Sequence, residues 1–211
     1  MKKLCVFDFD STLMDGETID YLASAVGCGE QVAKITEAAM RGELDFFEAL
    51  TERVTMLKGL EQSKAEEICA NLPLMPNALE CIAGLKELGY TVLVFSGGFS
   101  FATTPARTKL GLDMDFSNIL HTKNGVLTGM VGGEMMFSNS KGVMIEKMQN
   151  LLGIDYENTV AVGDGANDKS MFEFAKTKIA FCAKPALKEV ANIVVDVKDL
   201  LIVLNNIRKP N

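Results

Sequence analysis

The sequence predicts an α/β fold: a doubly wound parallel sheet flanked by helices, with an α-helical cap inserted after the first strand and a small β-hairpin flap. Three observations carry this. Short apolar runs of strand length alternate with longer stretches of helical period. Residues able to do chemistry stand where those runs stop, which is where open α/β sheets meet their ligands. Between the first two runs, residues 15–72 carry helical periodicity and no strand pattern. The predicted division is therefore a core of residues 1–14 and 73–211 and a helical cap of residues 15–72.

The first strand, Lys3-Leu4-Cys5-Val6-Phe7, stops abruptly at Asp8-Phe9-Asp10. Alternation along a strand points Asp8 and Asp10 to one side. Their like charges then ask for a divalent metal, a proton, or both. Asp is also a common turn former, so the pair could simply open a loop. Ile19, Leu22, Ala23 and Val26 form the apolar face of a first helix ended by Gly27. Val32, Ile35, Ala39 and Met40 form a second, closing at Gly42. Asp45-Phe46-Phe47-Glu48 and Ser63-Lys64-Ala65-Glu66 each have capping-box spacing and open two more. An insert at this point would stand over the crevice as a lid that excludes water and reads the substrate. Glu17 and Arg53 are its notable charges, able to pair with an ammonium and a carboxylate, although each also suits a solvated helix face. Met40 and Phe46 could wall the pocket or pack the core.

The chain returns to the core near Pro73 and Pro76, with Pro76 suited to the first turn of a helix that Gly89 stops. Thr91–Phe95 is the second strand. Ser96-Gly97-Gly98 then offers a hydroxyl and exposed N–H groups for a phosphate oxygen, or forms a plain tight turn. Pro105 should bend or shorten the next helix. Asn124-Gly125 marks a hairpin that reads as a flap at the edge of the site. Lys141 opens a helix ended by Gly153. A cation at a helix start opposes the dipole there, so its ammonium either faces an anion or lies along the surface. Thr159–Gly163 is a strand that delivers Asp164 as the first delivers Asp8, and Asn167 and Asp168 open a helix beyond it. Lys178–Phe181, Ile193–Val195 and a helix over Asp199–Ile207 finish the fold.

Composition narrows the function. With 48% hydrophobic and 23% charged residues the chain reads as an ordinary globule, and its apolar runs are too short to span a bilayer. A net charge of −7 argues against sequence-independent nucleic-acid binding. Five cysteines without a C-x-x-C spacing suit a reducing compartment. The opening Met-Lys-Lys-Leu is broken at Asp8 and lacks a small-residue cleavage site, so a cytoplasmic protein is expected. His121 is the single histidine, which nearly excludes His-based zinc sites and Ser-His-Asp chemistry. No G-x-G-x-x-G follows the first strand, which disfavours a dinucleotide role.

DFDSTL, GETID, FSGGF, GVLTG, VGDGANDKSM and FCAKP, in this order along nearly the whole chain, resemble the haloacid dehalogenase superfamily of aspartate-nucleophile phosphotransferases. Within it they are similar to the branch that hydrolyses phosphoserine. The resemblance implies a Rossmann-like core with the first strand near its middle. It implies Asp8 as nucleophile and Asp10 as acid and base. Mg²⁺ would be held by Asp8, the Asp10 carbonyl and Asp164. Ser96, Gly97, Lys141 and Asn167 would bind the phosphate, and Asp168 would support Lys141 or a metal-bound water. Glu17, Met40, Phe46 and Arg53 would recognise O-phospho-L-serine. The family gives His121 no role. The expected protein is a monomer or homodimer acting on a small molecule, at the last step of serine biosynthesis. Transfer of the phosphoryl group to homoserine, hydrolysis of another small phosphomonoester, and a metal-dependent sensor are the rival readings.

Overall fold

The computed structural model describes residues 2–40 and 43–208, with Met40 described by its backbone alone. Gly42, expected to end the second helix, and the Met40 side chain, expected at the substrate, lie outside the described residues. One seven-stranded sheet runs in the order β4-β3-β2-β1-β5-β6-β7. Its strands are β1 (Lys3–Asp8), β2 (Tyr90–Phe99), β3 (Met114–Lys123), β4 (Val126–Gly133), β5 (Thr159–Gly163), β6 (Thr177–Phe181) and β7 (Ile193–Val195). Every pairing is parallel except that of β3 with β4. The first strand therefore lies at the centre, and the expected hairpin is the outer edge of the same sheet.

Alternation along the strands divides the core into two layers, as a sheet covered on both faces requires. Cys5 and Phe7, Val92 and Val94, and Val160 and Val162 face one side. They pack there with Ile82 and Leu85 of α5 (Ala78–Glu87), Ala102 and Ala106 of α6 (Ser100–Leu110), and Val203 and Leu204 of α10 (Leu200–Arg208). Leu4 and Val6, Leu93 and Phe95, and Ala161 face the other. They meet Met144, Ile145 and Met148 of α7 (Ser140–Leu152), Met171 and Phe172 of α8 (Lys169–Phe172), and Leu187 of α9 (Pro185–Lys188).

Between β1 and α5 lie α1 (Thr18–Val26), α2 (Gly29–Met40), α3 (Phe46–Thr55) and α4 (Gln62–Ala70). Gly27, with φ of 73°, ends α1, and Asp45 with Glu48 forms both halves of the capping box on α3. This helical insert joins the core by two crossings. Asp15 N–H donates to Pro73 O and Met75 N–H to Leu13 O, both within 3.0 Å. It is also laced to the hairpin. Gly59 N–H donates to Leu127 O, Leu127 N–H to Leu60 O and Gln62 N–H to Gly125 O.

Four local expectations are corrected. β2 does not end at Phe95 but continues through Ser96-Gly97-Gly98 to Phe99, its register with β3 shifting over that stretch. A bulge within the strand, rather than a turn beyond it, carries the glycines, with Gly97 half-buried and Gly98 buried. α4 starts at Gln62 after Glu61, and no side chain caps it. Pro76 precedes α5, whose entry is the left-handed Asn77 at φ of 61°. Pro105 sits inside α6, and the helix continues to Leu110.

Candidate active site

After Asp8 the chain turns over itself: the N–H groups of Thr12, Leu13 and Met14 all donate to Phe9 O. The turn swings Asp10 beside the bulge of β2 and directs the chain into the helical insert. Asp8 is 5% exposed, and its Oδ1 accepts from Phe9 N–H at 2.7 Å and lies 2.6 Å from Lys141 Nζ. The same ammonium bonds Asp168 Oδ1 at 2.6 Å. Asp168 Oδ2 accepts the N–H groups of Asp164 and Gly165, each at 3.0 Å. Asp168 is thus fully satisfied, and it ties the Lys141 helix to the loop that carries Asp164.

Ligand atoms of Asp8, Asp164 and Asp168 lie within 4.8 Å of one another. Burial pushes the Asp8 carboxyl well above its ordinary range, Asp168 adds to this, and Lys141 opposes it. Burial likewise lifts Asp164 to about 7, with Asp168 adding and Lys141 and Lys184 opposing. For Lys141 burial works against the ammonium, but Asp168 and Asp8 outweigh it and its pKa is raised. Three carboxylates share one buried cation, so the cluster carries surplus negative charge suited to a hard divalent ion with oxygen ligands.

Asp10 is half-buried and also raised by burial, against two hydrogen bonds from Thr18 that lower it. Thr18 N–H and Thr18 Oγ1 donate to Asp10 Oδ1 at 2.7 and 2.5 Å. Ser96 Oγ accepts from Gly98 N–H at 2.9 Å and donates to Asp10 Oδ2 at 3.4 Å. A Cβ on Gly98 would stand 2.6 Å from that same Oδ2, and one on Gly97 would stand 2.9 Å from the Phe46 ring. Both glycines therefore permit close approach, one to a carboxylate and one to the insert. Asn118 fixes the bulge from beneath, donating to Gly97 O at 3.0 Å and to Met135 O at 3.1 Å.

Glu17 and Arg53 stand on the insert above this cluster. Ser11 Oγ donates to Glu17 Oε1 at 2.7 Å. Glu17 is exposed, yet the protein around it desolvates its carboxyl to about 8, and Asp10 and Asp164 add to this. Burial lowers the Arg53 guanidinium, while Glu17, Asp20 and Asp10 oppose the shift. Its Nε donates to Ala49 O at 3.1 Å. Asn167 occupies the short 3-10 turn Ala166–Asp168, against Gly165. His121 lies away from these groups, beside Thr128 on the hairpin at 2.9 Å.

Of the residues singled out in the sequence, Asp8, Asp10, Ser96, Lys141, Asp164 and Asp168 meet in this cluster, with Glu17, Phe46 and Arg53 on the facing insert. Thr18, Ser11 and Asp20 were not singled out. Nothing in the spacing from Asp10 to Thr18 signals their contact, because it depends on the turn after Phe9.

Residues 2–176 match the haloacid dehalogenase-like hydrolase family, and the chain belongs to it. Among its relatives, the phosphoserine phosphatase of Wolinella succinogenes is 63% identical, over 96% of this chain and 98% of that protein. The phosphoserine phosphatase of Methanocaldococcus jannaschii is 50% identical, over 98% of both. A solved phosphoserine phosphatase holding a phospho-aspartyl intermediate analogue superposes with a TM-score of 0.92 at 50% identity, covering 97% of this chain and 98% of that one. A substrate-bound phosphoserine phosphatase gives 0.93 at 49% identity, covering 98% of both.

Proposed function

We infer that this chain is a phosphoserine phosphatase, hydrolysing O-phospho-L-serine to L-serine and phosphate through an aspartyl-phosphate on Asp8. The observation that carries this is the buried convergence of Asp8, Lys141 and Asp168 with Asp10 beside them, in a chain so alike over its whole length to phosphoserine phosphatases. The division of labour proposed is a core of residues 1–14 and 73–211 that does the chemistry and a cap of residues 15–72 that reads the substrate.

One oxygen of the Asp8 carboxylate, whose Oδ1 accepts Phe9 N–H and Lys141, attacks phosphorus. Its bond to phosphorus forms as the seryl oxygen leaves, and Asp10 gives that oxygen its proton. Asp10 then takes a proton from water, the water oxygen bonds to phosphorus, and Asp8 is released as carboxylate. Lys141, the Ser96 hydroxyl and the Gly97 N–H bind the phosphoryl oxygens, with Asn167 assisting; Asp168 keeps the ammonium of Lys141 aimed at them. Glu17 would accept the substrate ammonium and Arg53 its carboxylate, while Phe46 closes the pocket against water.

The cofactor proposed is Mg²⁺, held by the Asp8 and Asp164 carboxylates and the Asp10 carbonyl. An all-oxygen donor set with surplus negative charge fits it. When bound, the ion neutralises charge on the phosphoryl oxygens. Asp168 supports this set without joining it, because Lys141 and two N–H groups occupy its oxygens.

A small-molecule enzyme of the cytoplasm, monomeric or homodimeric, is the accompanying proposal. The free cysteines suit that compartment, and among the described residues no helix is long and apolar enough to cross a membrane. The test is phosphate release from L-phosphoserine with and without Mg²⁺, against phosphothreonine and p-nitrophenyl phosphate, then with homoserine added. Metal-dependent release favouring L-phosphoserine is expected. Formation of phosphohomoserine at the expense of phosphate would instead identify a transferase, and no release from any ester would identify a sensor.

A further inference from the structure

We propose that Thr18 is a positioning residue for the acid–base step, holding the Asp10 carboxyl so that Oδ2 is the one oxygen that exchanges protons with the ester and with water. This deepens the reading of Asp10 given above and rests on it.

A carboxyl group has two oxygens, and only one can face the leaving oxygen. Asp10 Oδ1 is saturated by a single residue, at 2.7 Å from Thr18 N and 2.5 Å from Thr18 Oγ1. Oδ2 has only the long 3.4 Å approach of Ser96 Oγ. An oxygen that accepts two donors has no room for a proton of its own, so the proton that reaches the seryl oxygen resides on Oδ2. Free rotation of the carboxyl would exchange the two oxygens, and the paired donors of Thr18 prevent it.

Both donors are themselves fixed. Thr18 is the first residue of α1, where a backbone N–H has no partner within the helix and is free to bind Asp10. Its branched side chain has few rotamers, and at 1% exposure no water competes for the hydroxyl. Gly98 leaves space for Oδ2 on the opposite side, where a Cβ would lie 2.6 Å away. The carboxyl is thus gripped at one oxygen and given clearance at the other.

Proton transfer by a positioned side chain contributes about 10²–10⁴-fold to a rate. A loosened Asp10 that keeps the Thr18 N–H should lose roughly tenfold of that. The variants are Thr18→Val, Thr18→Ala and Thr18→Ser, with thermal melting measured on each. For the first two, kcat on L-phosphoserine should fall about tenfold with KM within about twofold of wild type, as a loosened general acid–base requires. Thr18→Ser, which keeps the hydroxyl, should recover most of kcat.

p-Nitrophenyl phosphate separates the two steps, because nitrophenolate leaves without a proton. With Thr18→Val or Thr18→Ala its first turnover should keep the wild-type rate while the steady state slows, giving a burst of nitrophenolate. Unchanged turnover on both esters, equal slowing of the first turnover on both, or failure of Thr18→Ser to recover kcat would each overturn the proposal. The burst is read on a generic ester, so wild-type inactivity towards L-phosphoserine would refute the substrate assignment and leave the Thr18 result legible.

Discussion

Asp168 joins three donors at once, and replacing it with asparagine should cost much of the protein's stability. The side chain has 0% exposure and accepts Lys141 Nζ at 2.6 Å and two backbone N–H groups at 3.0 Å. Asparagine has nearly the same shape but one acceptor oxygen and two N–H donors. It can keep the two backbone N–H groups or the ammonium, and in either arrangement its own amide hydrogens face a donor. Removing one partner of a buried pair costs about 3–5 kcal/mol. A chain of this size loses roughly 2–4 °C in Tm per kcal/mol, so Asp168→Asn should melt roughly 6–20 °C below wild type. The assay is calorimetric or dichroic melting in EDTA, so that no metal offsets the loss. A fall of less than about 3 °C, which corresponds to roughly 1 kcal/mol, would show that the Lys141–Asp168 contact carries no structural weight and that the cluster is held by other groups.

Asp8→Asn should abolish turnover and leave melting in EDTA unchanged or higher, since it removes a buried like charge; substantial residual phosphatase activity would remove Asp8 from the nucleophile's role. Arg53→Ala should lose phosphoserine hydrolysis selectively and spare p-nitrophenyl phosphate, and equal loss on both would make Arg53 structural. Gly97→Ala should raise KM for L-phosphoserine at least severalfold, because the new methyl meets the Phe46 ring at 2.9 Å, and an unchanged KM would show that the insert does not seat there in the complex. Asp164 at about 7 and Glu17 at about 8 hold protons in the folded state that the unfolded chain releases near its ordinary carboxylate range. Where the folded state binds more protons, stability falls with rising pH. The metal-free protein should therefore lose stability from about pH 4 up to about pH 8 through these two groups, with Mg²⁺ recovering most at the alkaline end. A metal-free Tm that is flat or rising between pH 6 and 8 would contradict this.

Much of the architecture could be read from the chain because its signals are local. The runs at Lys3–Phe7, Thr159–Gly163 and Ile193–Val195 are strands. Asn124 and Gly125 both take the positive φ, at 53° and 78°, that the hairpin turn needs. Other features depended on tertiary context. Ser96-Gly97-Gly98 reads as a turn by composition, but β3 extends the strand through it in shifted register. Ser63 has the spacing of a cap, yet α4 begins one residue before it, where the insert meets the hairpin. Asp8 and Asp164 were visible because each stands where a strand stops, and Asp10 and Asp168 because each lies close behind one. Their partners were not, since Thr18 and Ser11 are ordinary hydroxyl residues until the turn after Phe9 brings them to Asp10 and Glu17.

The lacing of the helical insert to the hairpin has a consequence for solubility. β4 is the last strand on its side of the sheet, and such an edge offers unpaired backbone groups to any other strand. Here Glu61 bridges Val126, and the connection between α3 and α4 exchanges hydrogen bonds with residues 125 and 127. The backbone of Thr55 also crowds Gly129. A segment inserted early in the sequence thereby screens the open side of a hairpin formed much later. Excision of residues 15–72, however neatly the two crossings were rejoined, would leave that edge bare. The truncated protein should self-associate through β4 before any loss of catalysis could be measured on it.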